Sequence, residues 1–365
     1  MSIKKHIIHL VSNREWGGGE QYVYDLCSRL KADGYRITMF TRKVEAVTER
    51  MAELGVPMHT MPLGGAFDAV SAMRLARFLR GAGECVVCAH NFKDAFTAVY
   101  ARLLSGNGSV RVVVTRHLVR RGKNTALHRW MYRHADRIIF DSELSRDEFA
   151  AGCPEAAEGD RLRVVPIGIM VPEDIRPVDL RQELGMPEGS VTAMFHGRLD
   201  AEKGLDVLVE AMAMLKDTAI HLILIGSGSD AYVESLKRKI AALGLEGRIC
   251  FAGFRRPVLP CLGSCDFGLL PSIVREGYPL SPMEYMSQGR CVIATDNGGQ
   301  KEYLTDGVNA LLVKPGDAGA LARSMKRLAT DAALRDRLSS RALADYREKM
   351  SYDSFIQRIE DSYEH

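Results

Sequence analysis

No stretch of the 365-residue chain is apolar for anything like the ~20 residues that a membrane-spanning helix requires. No secretory leader is expected either. Lys4 and Lys5 precede an apolar segment, Ile7 to Val11, that is too short for a leader core and runs into Ser12-Asn13-Arg14 without a small-residue cleavage pattern. A disulfide framework is excluded, because eight cysteines at irregular spacings in so long a chain do not make one. Reduced thiols in a cytoplasmic protein are the expectation. Cys85-Val86-Val87-Cys88 is a redox or zinc pair in spelling only, since strand residues three apart face opposite ways and no second pair stands at zinc spacing. Cys261 and Cys265 are expected to pack in the core or against helices. A strong charge is missing too: the net value is +3, with no basic run inside a nucleic-acid motif, so nucleic-acid binding is not expected. At 46% hydrophobic and 26% charged residues, disorder, collagen and coiled coil are ruled out.

What is present divides in two. The length favours two domains over one or three. Residues 1–165 hold 25 Lys and Arg against 18 Asp and Glu, a balance of +7, and the remainder holds 24 against 28, a balance of −4. Such asymmetry implies that one domain faces an anionic surface or ligand. In the first half, Ile3–Val11, Tyr35–Thr41, Cys85–Ala89, Val110–Thr115 and Arg137–Asp141 read as buried strands, with helical patterns such as Glu20–Asp33 and Asp68–Gly81 between them. Strands alternating with helices imply a parallel, doubly wound α/β sheet whose ligand crevice lies beyond the carboxyl ends of the strands.

Several residues lie just past those ends. Gly17-Gly18-Gly19-Glu20 opens a helix, where backbone amides can approach a phosphate; a plain tight turn is the alternative. His90 and Asn91 follow the third of these strands, and Arg116 and His117 the fourth, which points to function at equivalent positions. Arg120, Arg121 and Lys123 lead into a helix, Leu127–Ala135, carrying Arg129, Trp130, Tyr132, Arg133 and His134. That is either a solvated face or a basic, aromatic surface for lipid headgroups or a phosphorylated acceptor.

Pro166, Pro172, Pro177 and Pro187 mark the domain boundary, with 166–187 as a linker. The α/β alternation restarts in 188–350, and 351–365 forms a terminal helix. There Phe195-His196-Gly197-Arg198 leads to Glu202-Lys203-Gly204, a guanidinium and an ammonium just before a helix, suited to a pyrophosphate. Gly226-Ser227-Gly228-Ser229 is a second glycine turn after a strand. The most informative segment is Pro271 to Glu284, in which Glu276 and Glu284 straddle a loop of Gly277-Tyr278-Pro279-Leu280. Ser281-Pro282-Met283-Glu284 spells a capping box, so Glu284 has a structural explanation that Glu276 lacks. In the functional alternative the loop amides face a sugar diphosphate and the two carboxylates accept bonds from sugar and ribose hydroxyls.

The glutamate pair, with Glu284 to Gly289, Val292 to Gly299, Glu302 and Gly307 to Val313, resembles the retaining nucleotide-sugar glycosyltransferases of family four. Upstream, His196 to Gly204 is similar to that family's diphosphate-binding segment, Val165 to Gly168 to its interdomain turn, and Gly17 to Glu20 to its N-terminal glycine loop. Thr115-Arg116-His117 departs from the family's commoner hydrophobic-His-Asp arrangement. The resemblance implies a GT-B fold, two Rossmann-like domains facing a cleft, with the terminal helix crossing back to the first domain. It implies a UDP- or GDP-sugar as donor and no cofactor or essential metal, while the basic first domain points to a saccharide or lipid-linked acceptor and to work at the cytoplasmic face of an anionic membrane. By resemblance Arg198 and Lys203 bind the diphosphate, Glu284 the ribose and Glu276 the transferred sugar. Gly18, Gly19, Gly197, Gly226, Gly277, Tyr278, Pro279 and Leu280 join them around the donor, and His90 lies near the reacting centre with Arg116 and His117 on the acceptor side. Two other possibilities stay open: a nucleotide-sugar epimerase or hydrolase on the same architecture, and a non-catalytic sugar-nucleotide binder.

Overall fold

The computed structural model describes residues 5–16 and 18–364. Contacts divide the chain into two units, Met1–Pro166 with Ile356–His365, and Ile167–Phe355. In the first, strands β1 (His6–Val11), β2 (Arg36–Thr41), β3 (Met58–Thr60), β4 (Cys85–Ala89), β5 (Val110–Arg116), β6 (Arg137–Phe140) and β7 (Leu162–Val164) form one sheet. Helices α1 (Gly18–Ala32), α2 (Glu45–Ala52), α3 (Ala69–Leu79), α4 (Phe92–Ser105), α5 (Ala126–His134) and α6 (Glu143–Gly152) connect them. Every pairing is parallel, in the order β3-β2-β1-β4-β5-β6-β7. Helices cover both faces, so the central strands are apolar almost without interruption, and Ile8, Leu10, Val87 and Val112 are fully buried in one cluster. The strand order reverses between β1 and β4. The loops leaving those two neighbours diverge there, which opens the position where doubly wound sheets bind ligands.

The second unit repeats the plan with β8 (Val191–His196), β9 (Ile220–Ile225), β10 (Ile249–Gly253), β11 (Phe267–Leu270), β12 (Cys291–Thr295) and β13 (Ala310–Val313). Their order is β10-β9-β8-β11-β12-β13, again all parallel, with the reversal between β8 and β11. Its helices are α7 (Leu180–Glu183), α8 (Leu205–Ala213), α9 (Asp230–Ala242), α10 (Leu259–Leu262), α11 (Ser281–Ser287), α12 (Ala318–Thr330), α13 (Ala332–Asp345) and α14 (Tyr352–Glu364), the last of which runs on into the residues grouped with the first unit. Alternation along the strands feeds two cores: Phe195, Leu224 and Leu269 enter one, Met194, Ile225 and Leu270 the other. Gly268 is a packing requirement, since a Cβ on it would stand 2.3 Å from the Tyr285 ring. The Tyr285 hydroxyl donates to the Met194 carbonyl at 2.8 Å, drawing α11 onto the sheet.

Two expectations change. From Ile167 onward, the segment taken as a linker packs into the second unit: Ile169 bridges Ser351 and its carbonyl accepts the Tyr346 hydroxyl at 2.9 Å, while Leu180 is fully buried. Ile169 and Leu180 find apolar partners there, and proline punctuation does not register that. The edge strands β3 and β7, three residues each, are too short to leave a period in the sequence. All eight cysteines are free thiols, as expected. Among the described residues no helix is long and apolar enough to cross a membrane.

Candidate active site

In the second unit the site grows from the loops after β8 and β11, which lie side by side in the sheet. Residues 197–204 must turn sharply twice, and glycine serves both turns. Gly197 has φ +148°, and Gly204 has φ +72° with room for no Cβ, because one would stand 2.0 Å from the Pro271 carbonyl oxygen. Between them Asp200 caps the short helical turn Ala201–Lys203 by accepting from the Lys203 amide at 3.0 Å. This directs the Lys203 side chain toward the β11 loop. Its Nζ lies 2.6 Å from Glu276 Oε1, and the Ser272 hydroxyl donates to the same oxygen at 2.6 Å. The two charged side chains are only 22% and 15% exposed, so the pair is largely shielded from water.

The loop bearing Glu276 is held by residues that sequence reasoning left without a role. Thr295 donates to the Ser272 carbonyl at 2.9 Å, Asn297 to the Val274 carbonyl at 3.0 Å, and Gln300 to the Thr295 carbonyl at 2.6 Å. The Gly299 amide donates to the Glu276 carbonyl at 3.0 Å. Tyr278 packs edge-on to Tyr303, whose hydroxyl donates to the Pro279 carbonyl. Leu280 is exposed, and Gly277 continues the loop between Glu276 and Tyr278. Asn297-Gly298-Gly299 was the available signal for this brace, since an Asx-Gly run after a strand marks a loop bonded to its own surroundings.

Arg198 is mostly exposed, with its guanidinium on Asp200 and, at 3.5 Å, on Glu202. Gly226 has a structural duty: its φ is +146° and a Cβ would stand 1.8 Å from the Gly197 carbonyl oxygen, so the loops after β8 and β9 pack backbone against backbone. The capping box predicted at Ser281 does not form. Helix α11 begins at Ser281 with no side-chain cap, and the Glu284 carboxylate instead lies 3.3 Å from His196 Nε2. The approach is one of proximity, since His196 Nε2 has no hydrogen-bond partner among the described residues. Burial raises the Glu284 pKa to about 7 and lowers that of His196 to about 4, so near neutral pH the ring is uncharged and the carboxyl titrates.

The first unit builds a second cluster at its own β1/β4 reversal. His90, directly after β4, has Nε2 2.9 Å from Nδ1 of His9, a fully buried residue of β1, with the ring planes within 5° of parallel. One ring therefore donates to the other. Desolvation lowers the His9 pKa to about 3 and that of His90 well below its usual value, so both are neutral at pH 7. His90 Nδ1 is buried without a hydrogen-bond partner among the described residues. Tyr22 of α1 lies edge-on to both His90, at 5.9 Å between centroids, and His117, at 4.5 Å. His117 Nδ1 stands 3.8 Å from Asp141. His9 and Tyr22 were not read as site residues, because a histidine inside an apolar strand pattern carries no sign of what it will face.

Around this cluster Asn91 caps α4 by accepting from the Asp94 amide at 3.0 Å, and its Nδ2 donates to Ser12 at 2.9 Å, joining the β1 and β4 loops. Arg116 is drawn into the fold: its guanidinium lies 4.7 Å from the Phe92 ring centre and donates to the Arg120 carbonyl at 2.6 Å. Gly18 and Gly19 are exposed in the first turn of α1, and a Cβ at Gly18 would meet nothing within 4 Å. Gly17 lies outside the described residues. Among the described residues no group of three or more His, Cys, Asp or Glu is arranged to hold a metal ion.

Comparison with known proteins bears on the family and the fold. Residues 179–345 match the model of glycosyl transferases group 1, and residues 16–171 match that of Glycosyltransferase Family 4. The lipopolysaccharide core biosynthesis glycosyltransferase LpsE of Rhizobium meliloti is 30% identical over 185 residues, 49% of this chain and 52% of that protein, so the match spans about half the relative's length. A D-inositol 3-phosphate glycosyltransferase of Xylanimonas cellulosilytica is 27% identical over 384 residues, 95% of this chain and 91% of the relative. Among solved structures, Anabaena HepE in complex with UDP and glucose superposes with a TM-score of 0.78 at 21% identity, over 98% of this chain and 99% of that one. A glycosyltransferase from Rickettsia africae does so at 0.83 and 17% identity, over 99% and 98%.

Proposed function

The chain belongs to the family-four glycosyltransferases of GT-B fold, and from that premise we propose that it moves a hexosyl group from a nucleoside diphosphate sugar to a hydroxyl of a saccharide or lipid-linked acceptor, with retention at the anomeric carbon. The observation that carries the donor assignment is the Lys203–Glu276 pair, closed at 2.6 Å across the loops of β8 and β11, with Arg198 five residues before Lys203 in the same loop. A diphosphate arriving there meets an ammonium and a guanidinium. Lys203 shifts from carboxylate to phosphate, and Glu276 is released to accept hydrogen bonds from the hydroxyls of the transferred sugar.

Chemistry follows from charge. As the glycosidic C–O bond breaks, negative charge grows on the β-phosphate, and preorganised cationic donors stabilise that charge more than they stabilise the ground state. Once Lys203 has moved, Glu276 still accepts from Ser272 and is committed to the sugar hydroxyls rather than to the anomeric carbon, which favours same-face substitution in which the leaving phosphate takes the acceptor proton. Glu284, in the first turn of α11, would accept from ribose hydroxyls as the carboxylate, the form that prevails above about pH 7. On the acceptor side the free Nδ1 of His90 suits a hydroxyl partner. Because HepE was crystallised with UDP and glucose, UDP-sugars are the first donors to test, then GDP-sugars. The cationic pair would make a divalent metal dispensable.

The test is a thermal-shift series with nucleoside diphosphates and their sugars, followed by measurement of diphosphate release with and without candidate acceptors. A donor that stabilises the protein and is consumed only when an acceptor is present supports transfer. Consumption independent of any acceptor would replace it with hydrolysis or epimerisation. Unchanged turnover with EDTA is expected, and its loss would remove the metal-independent part of the proposal.

A further inference from the structure

A histidine in the middle of a buried parallel strand is costly unless its ring nitrogens find partners. Alternation along β1 sends Ile8 and Leu10 into the core, while His9 between them faces the other way and is fully buried. Its Nδ1 meets Nε2 of His90 at 2.9 Å, and its Nε2 has no hydrogen-bond partner among the described residues. With that contact and centroids 5.2 Å apart, the near-parallel rings meet edge to edge, which puts one proton between the two nitrogens.

Both rings are neutral at pH 7, so each carries a single proton, and only two arrangements satisfy the contact. If His90 donates from Nε2, His9 must carry its own proton on Nε2, inside the sheet with nothing to receive it. If His9 donates from Nδ1, its Nε2 is a bare lone pair and His90 carries its proton on Nδ1. A buried N–H without an acceptor is the rarer and costlier defect. In the second arrangement the unmatched N–H belongs to His90, a partly exposed residue at the β1/β4 reversal, where an incoming oxygen can receive it. Neighbouring groups do not take that oxygen's place. The Tyr22 hydroxyl is hydrogen-bonded to the Thr115 side chain, and neither ring nitrogen of His117 has a hydrogen-bond partner among the described residues.

We propose that His9 is a positioning residue that holds His90 in its Nδ1–H form, so that His90 offers the substrate a hydrogen-bond donor and not a base. A free neutral imidazole prefers its proton on Nε2, so this form lasts only while His9 donates to that nitrogen. The role rests on the reading of the chain as a glycosyltransferase with His90 on its acceptor side. The ligand that fits is then an oxygen with a lone pair to share, a hydroxyl or phosphoryl oxygen. An acceptor hydroxyl bound through its oxygen keeps its proton until the reaction. As the glycosidic C–O bond breaks and the new C–O bond forms, that proton passes to the departing β-phosphate oxygen, and His90 remains neutral throughout.

Nitrogen-15 labelling of the histidines, with long-range proton–nitrogen correlation spectra, reads the tautomers in the protein alone, without donor or acceptor. The two signals are assigned by their loss in His9→Asn and His90→Asn. At pH 7 wild type should show both rings protonated on Nδ1 and bare on Nε2. His9→Leu should return His90 to the Nε2–H form, and His9→Asn should keep it in the Nδ1–H form, because the asparagine amide nitrogen falls near the place of the lost Nδ1. A wild-type His90 protonated on Nε2 would overturn the proposal, a result that needs no variant to fold. So would a His90 tautomer unchanged in folded His9→Leu. In a transfer assay His9→Leu should lower kcat about ten- to a hundredfold, the range found when the partner that orients a metal-bound histidine is removed. KM for the donor should stay constant, and His9→Asn should regain most of the rate. An unchanged kcat in His9→Leu would overturn the positioning role. The spectra require no turnover, so failure of wild type to transfer any sugar would remove the enzymatic reading and leave the tautomer result standing.

Discussion

Replacing Lys203 by methionine separates what the Lys203–Glu276 pair does for the fold from what it does for the reaction. At 2.6 Å and an effective dielectric of ~20, the gross attraction is about 6 kcal/mol. Desolvating both groups cancels most of it, so the pair adds little net stability against an apolar substitute. Removing one partner is another matter. A stranded partner costs about 3–5 kcal/mol when fully buried. At 15% exposure Glu276 keeps some water and the Ser272 hydroxyl, so Lys203→Met is expected to lower the unfolding free energy by about 2–3 kcal/mol. Glu276→Gln should cost about 1–2 kcal/mol, because an ammonium on a flexible stem can turn to solvent. In the double variant neither charge is stranded, and a coupling of about 1–2 kcal/mol should be recovered. Turnover should behave differently. On the proposed mechanism the lost cation is one that the transition state needs, so kcat should fall about a hundred- to a thousand-fold in Lys203→Met and stay low in the double variant. Urea unfolding reads the first quantity and nucleoside diphosphate release the second. Strictly additive stability losses would refute the pair, and near-wild-type turnover in Lys203→Met would refute its role on the diphosphate.

Four further predictions concern other positions. Gly226→Ala forces a Cβ to 1.8 Å from the Gly197 carbonyl oxygen at an unfavourable φ, so urea unfolding should show a loss of at least about 2 kcal/mol. Gly18→Ala meets open space in a helix and should leave stability unchanged or raise it by up to about 1 kcal/mol, so a drop in donor affinity measured by calorimetry would be a ligand effect rather than a folding one. For Glu284 the folded pKa of about 7 lies above the ordinary 4.5, so the folded chain holds the extra proton. The stability this confers is complete below about 4.5 and is lost as pH rises through about 7, so stability of wild type relative to Glu284→Gln should fall across that window and then level off. A flat difference would contradict the raised pKa. Finally, native protein should show a single readily alkylated thiol, Cys250, the one cysteine not buried; rapid labelling of several by mass spectrometry would contradict the packing.

The strands of both units were legible because a parallel sheet covered on both faces must be written as short apolar runs, and Ile7 to Val11 or His221 to Ile225 can be little else. Arg198, Lys203 and Glu276 were legible because polar and glycine residues crowd the segments just after such runs. Other features depended on packing that no local pattern encodes. Ile169 and Leu180 sit among prolines that read as a linker, and only the apolar surface they meet makes that segment part of the second unit. Ser281 to Glu284 spells a cap, yet in the fold the carboxylate lies beside the His196 ring, 88 residues upstream.

By itself, the sequence determined two doubly wound units and which loops gather polar and glycine residues at the strand ends, since periodicity and strand-end composition are local properties. Tertiary structure alone decided which of those residues meet. The reversal of strand order between β8 and β11 sets Lys203 against Glu276, 73 residues apart, and the reversal between β1 and β4 sets His9 against His90, 81 apart. It also decided which arginines of the basic half find carboxylates, as Arg102 finds Asp136. Pairing across a sheet and neutralisation of charge depend on distance in space, and separation along the chain carries no measure of it.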